Sequence, residues 1–121
     1  MCGMVPLGVG GGARALANNA LVCRAGTCLA RQFIAGAEDA EATGRLSGVS
    51  VNAANGAIVR QLATQKNNQV GVTTVGRIRA AGGEVVPDAV VNPLHPTHAR
   101  INGLTGHQLE ELFTPTIRKP K

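Results

Sequence analysis

A chain of 121 residues has room for one hydrophobic core and no second domain. Its formal charge of +5 comes from twelve Lys and Arg against seven Asp and Glu. Nine of the twelve are Arg, whose planar fork suits phosphate or carboxylate partners. There is no Trp, no Tyr and only Phe33 and Phe113, which counts against binding single strands by base stacking and leaves the core to Val, Leu, Ile and Ala.

Residues 1–20 are Gly- and Ala-rich and read as a flexible leader. Within them Gly8-Val9-Gly10-Gly11-Gly12-Ala13 matches a dinucleotide-binding fingerprint on paper. It lacks a preceding buried strand and an acidic residue about twenty positions later, so no nucleotide site is expected there. A helix is expected over Thr27–Ala35, with Leu29 and Phe33 on one face. The acidic stretch Glu38–Gly44 reads as a loop, and residues 45–52 as a strand. Ala57–Lys66 reads as a helix with Ile58 and Leu62 inward, and Gln69–Val72 as a short strand. Thr73 or Thr74 caps a helix carrying Val75 and Ile78, which Gly82-Gly83 stops. Glu84–Val91 reads as a strand whose Pro87 suits an edge. A stiff, Pro-rich turn over residues 92–98 leads into a strand at 98–102. The capping-box spacing Thr105–Gln108 then opens a helix with Leu109, Leu112 and Phe113 on one face, ended by Pro115. The expected fold is a small single α+β domain over 21–117, a short mainly antiparallel sheet packed by three to four short helices, with a loose basic tail at 118–121. With 16 Gly and few aromatics it should be only marginally stable.

Cys23 and Cys28 are close enough to form a local disulfide or to stand as two buried thiols, and the spacing leaves both open. No apolar run is long enough to span a membrane, and the N-terminus does not read as a signal peptide. The chain is therefore expected in the cytoplasm, or delivered by another protein.

Most side chains suited to chemistry near neutral pH fall in the second half. All three histidines lie between 95 and 107. Cleavage of RNA by its own 2′-hydroxyl needs a base, an acid and a cation for the phosphorane charge. His98 with His95 or His107, together with Arg100, can supply these, and Thr97 and Asn102 can hold a phosphate oxygen. Arg77 and Arg79 can join Arg100 in a phosphate-binding face. The plainer alternative is a Pro-rich surface loop that happens to carry two histidines, beside a solvated helix. No metal or cofactor is expected, because His95 and His98 have only the distant Asp88 as a further ligand. There is no nucleophile elbow, and Glu110 and Glu111 face different ways, so they are no glycosidase pair.

The run Gln69-Val-Gly-Val-Thr-Thr-Val-Gly-Arg-Ile-Arg-Ala-Ala-Gly-Gly83, the segment from His98 through Leu112-Phe113 to Thr116, Cys23-Arg-Ala-Gly-Thr-Cys28 and Gly48-Val-Ser-Val-Asn52 together resemble the variable C-terminal modules of Rhs-type polymorphic toxins, over about residues 22–118. In that pattern a His follows an Asn-Pro turn into the last strand, which His98 fits. A Thr commonly stands two places later, where this chain has Arg100. The resemblance implies a toxin more strongly than it implies a reaction: many such modules are RNases neutralised by a cognate immunity protein, and the histidine cluster and arginines above then suggest a metal-independent RNase acting on a tRNA or other cellular RNA. Such a module is secreted as part of a larger effector and acts in the target-cell cytoplasm. The alternatives are a non-catalytic binding or carrier-associated segment, and a small basic nucleic-acid-binding protein.

Overall fold

Leu16 and Ala20 are buried, and they lead directly into the first strand, β1 (Leu21–Ala25). The fold is a computed structural model that describes residues 15–63, 66–88 and 95–120; Gly8–Ala13 lie outside them. Leu16 and Ala20, which the sequence reading placed in the leader, are apolar side chains that the core takes in.

A six-stranded sheet carries the architecture, in the order β6 (Glu84–Pro87), β7 (His98–Asn102), β4 (Val49–Ala54), β1, β5 (Gln69–Thr74) and β9 (Ile117–Arg118). Every neighbouring pair is antiparallel. A second, three-stranded sheet joins β2 (Asp39–Ala40), β3 (Arg45–Ser47) and β8 (Leu104–Thr105). With four short helices among the described residues, the class is α+β, as expected.

The helices are α1 (Ala30–Gly36), α2 (Val59–Leu62), α3 (Val75–Ala80) and α4 (Gly106–Phe113). Strand alternation decides where each one packs. Val22, Val49, Val51, Ala53, Val85, Ala99 and Ile101 point to one face of the large sheet, where they meet Phe33 of α1, Val75 and Ile78 of α3, and Leu109 and Phe113 of α4. The two rings pack at 5.5 Å between centroids. The opposite face holds a smaller cluster of Cys23, Ala63 and Val70 with Leu62 of α2. Cys23 and Cys28 thus belong to different clusters, and both are free thiols.

Several elements differ from expectation for local reasons. Helix α1 starts at Ala30 because Cys28 takes φ 58°, which no helix accommodates, and the Gln32 side chain caps the Leu29 N–H at 3.0 Å. Residues 45–52 are two strands, split at Gly48, whose φ of 72° turns the chain from the small sheet into the large one. Helix α2 is a single turn with Ile58 exposed and only Leu62 buried. Asp39 and Ala40, read as loop, pair with β3. At the start of the tail, Arg118 pairs with Gln69 and the Lys119 N–H donates to the Asn68 carbonyl at 2.8 Å. Helices α3 and α4 follow the sequence reading: Thr74 accepts from the Arg77 N–H, and Thr105 and Gln108 form the capping box.

Candidate functional site

Strand β7 buries Ala99 and Ile101 and so turns His98, Arg100 and Asn102 to the other face of the sheet. Beside them β4 contributes Ser50 and Asn52, with Asn52 directly opposite His98 in the register. Helix α2 covers this face only over its own small cluster, which leaves the β4–β7–β6 part without a helix over it among the described residues. The polar face is therefore a product of the same alternation that builds the core.

Asp88 follows directly on β6 and is 8% exposed. Its carboxylate oxygens each lie 2.7 Å from His98 Nδ1, and its backbone N–H donates to the His98 carbonyl at 3.2 Å. Arg100 Nε approaches the same carboxylate at 3.3 Å, and Arg100 Nη1 meets Glu38 at 2.9 Å. Four side chains thus run in line: His98, Asp88, Arg100, Glu38. With Nδ1–H donated to Asp88, the imidazole is fixed in orientation and tautomer, and Nε2 is the nitrogen that can exchange a proton with a substrate. The Thr97 hydroxyl donates to Asn52 Oδ1 at 2.8 Å and firms the turn before β7.

Clefts flank this line on both sides. One of about 280 Å³ is lined by Cys23, Arg24, Ser50, Asn52, Asn67 and His98. The other, about 380 Å³, lies against Glu38, Ser47, Gly48, Asp88, Arg100 and Asn102. Asn67 also borders a groove of about 440 Å³ that carries Lys66, Arg118 and Lys119.

The structure brings together some of the expected residues and separates others. His98, Arg100, Thr97 and Asn102 share one face, although the Asn102 carboxamide is engaged in accepting the Gly48 N–H at 2.8 Å. His95 is exposed, and its carbonyl accepts the His98 N–H at 3.0 Å, so it lies in the turn just before the site. His107 is exposed on α4, and Arg77 and Arg79 ride on α3; both helices pack on the far face of the sheet. Arg79 is occupied by Glu84 at 2.9 Å and by Asn18 at 2.7 Å. The Glu84 carboxyl is held below its ordinary value, first by the Val85 N–H and further by Arg79. The expected grouping of Arg77 and Arg79 with Arg100 does not form, because two helical arginines cannot reach round the sheet.

Asp88, Glu38 and Asn52 were not among the expected site residues. Asp88 looked distant from His98 at ten positions, but a hairpin that pairs Pro87 with Ala99 places the next two residues side by side. That signal was readable once residues 84–87 and 98–102 were taken as one hairpin. Glu38 and Asn52 come from the first half of the chain, and only sheet pairing carries them here. Among the described residues, no three His, Cys, Asp or Glu side chains gather as a metal site requires. No protein-family model, curated protein or solved structure matches the chain.

Proposed function

We propose that this chain is a toxin module of the Rhs type that cleaves RNA without a metal, with His98 as a proton-transfer residue and Arg100 as the phosphate anchor. The observation that carries this reading is the His98–Asp88–Arg100 arrangement, a buried carboxylate that orients an imidazole and a guanidinium on one open sheet face. RNA supplies its own nucleophile, so the protein has only to move protons and hold charge. His98 Nε2 exchanges a proton with the reacting ribose oxygens, and Arg100 faces the charge that develops on the phosphoryl oxygens. The groove bearing Lys66 and Arg118 extends the site with cations along which a phosphate backbone can run. The toxin assignment is supported by the likeness to polymorphic toxin modules, which also makes a cognate immunity protein the expected partner.

The test is cleavage of total RNA in excess chelator, with growth of bacteria after induction, for the wild type and His98→Ala. The expected result is growth arrest with fragments ending in 2′,3′-cyclic phosphate, both lost in the variant. Arrest with intact RNA would retain a toxin and discard the ribonuclease. Full cleavage by a folded His98→Ala protein would overturn the site.

A further inference from the structure

We infer that Glu38 is the second proton-transfer group of this site: the base that takes the 2′-hydroxyl proton while His98 protonates the leaving oxygen. This rests on the ribonuclease reading above. An in-line displacement needs its base and its acid on opposite sides of the phosphorus. A phosphate anchored on Arg100 meets that condition here, because the guanidinium has Glu38 on Nη1 and the Asp88–His98 pair on the side of Nε.

A histidine whose Nδ1 is tied to Asp88 has one nitrogen left for substrate, so it can play one of the two parts at a time. Asp88 is buried and bonded to both His98 and Arg100, which leaves it the orienting role. Of the carboxylates at Arg100, Glu38 is the accessible one, with its side chain 57% exposed.

The backbone also holds Glu38 in place. Its N–H donates to the Ser47 carbonyl at 2.9 Å, and its side chain lies across Gly48. A Cβ at Gly48 would fall 2.5 Å from Glu38 Cγ, and the Gly48 N–H is itself fixed by Asn102. The glycine that turns the chain between the sheets therefore also leaves the space through which the carboxylate reaches Arg100.

The 2′-O–H proton passes to Glu38, and O2′ forms a bond to phosphorus. The P–O5′ bond breaks, and the Nε2 proton of doubly protonated His98 passes to O5′. The products are a 2′,3′-cyclic phosphate and a 5′-hydroxyl, and exchange with water returns a proton to His98 and removes one from Glu38.

The experiment compares a dinucleotide with uridine 3′-(4-nitrophenyl phosphate), whose nitrophenolate leaves without a proton. Glu38→Gln should lose about a hundredfold or more on both substrates. His98→Ala should lose as much on the dinucleotide and recover most of it on the nitrophenyl ester. Equal loss of His98→Ala on both substrates would make His98 the base and overturn the assignment. Wild-type rates in Glu38→Gln, or a loss seen in His95→Ala instead, would also overturn it. If the wild-type protein cleaves neither substrate, the ribonuclease reading falls; if it cleaves both and Glu38→Gln does too, only the role of Glu38 falls.

Discussion

At the scale of single residues, Asp88 has the most telling environment. It is a buried carboxylate whose neighbours are an imidazole and a guanidinium, and it sits where a turn residue would ordinarily be exposed. Asp88→Asn keeps the shape but replaces an acceptor-only group, so Nδ1–H loses its preferred partner and the ring its fixed tautomer. On the ribonuclease reading, RNA cleavage should fall by about a hundredfold with little change in the far-ultraviolet dichroism, because the loss is one of proton transfer. Cys23 makes a different point. Burial above all, with Cys28 adding to it, pushes its thiol from 9.0 up to about 11. The folded state thus favours the neutral thiol. Its contribution to stability is complete below pH 9 and is lost as pH rises from 9 towards 11. Urea midpoints followed over that range should fall more steeply for the wild type than for Cys23→Ala.

At the scale of elements, the legible ones were those that local chemistry punctuates. The Thr105–Gln108 capping box satisfies two N–H groups at the start of α4, with the Gln108 N–H donating to the Thr105 hydroxyl at 3.2 Å. Thr105→Ala should cost about 1 kcal/mol in chemical denaturation, followed by dichroism because the chain has no Trp. Tertiary demands leave no such local signal. Gly71 lies in β5, which was read as a strand, but the need for glycine there was not legible: a Cβ would fall 2.7 Å from the Phe113 carbonyl oxygen and 2.6 Å from Cys28 Sγ. The strand needs a glycine only because the end of α4 lies against it. Gly71→Ala should therefore destabilise by about 1–3 kcal/mol, the usual cost of overpacking a core, read in the same denaturation experiment. Likewise Gly48 divides one expected strand into two because the chain changes sheets there, a demand that residues 45–52 alone do not express.

At the scale of the whole molecule, charge and topology act together. On the ribonuclease reading, the net charge of +5 favours a polyanion, and the clefts beside His98 with the groove of Lys66 and Arg118 offer a strand one path. With about three phosphates engaged, affinity for RNA should fall about twentyfold between 50 and 200 mM salt. Binding titrations of His98→Ala would measure this without turnover. Lys66→Ala with Arg118→Ala should weaken binding and flatten the salt slope, and an unchanged slope would place the strand elsewhere.

Some of this was decided by local order along the chain: the α+β class, the capped helices α3 and α4, strand β7, and His98 with Arg100 two residues apart on one strand face. Period-2 alternation and capping act over a few residues, so a single sequence displays them. Tertiary structure alone decided that Asp88 and Glu38 stand against His98 and Arg100, that His107, Arg77 and Arg79 stand on the far side of the sheet, and that Cys23 and Cys28 lie in separate clusters. Those outcomes depend on which strands pair and which face each helix covers. The contacts that set them join residues as far apart as Glu38 and Arg100, and no local pattern records such a pairing.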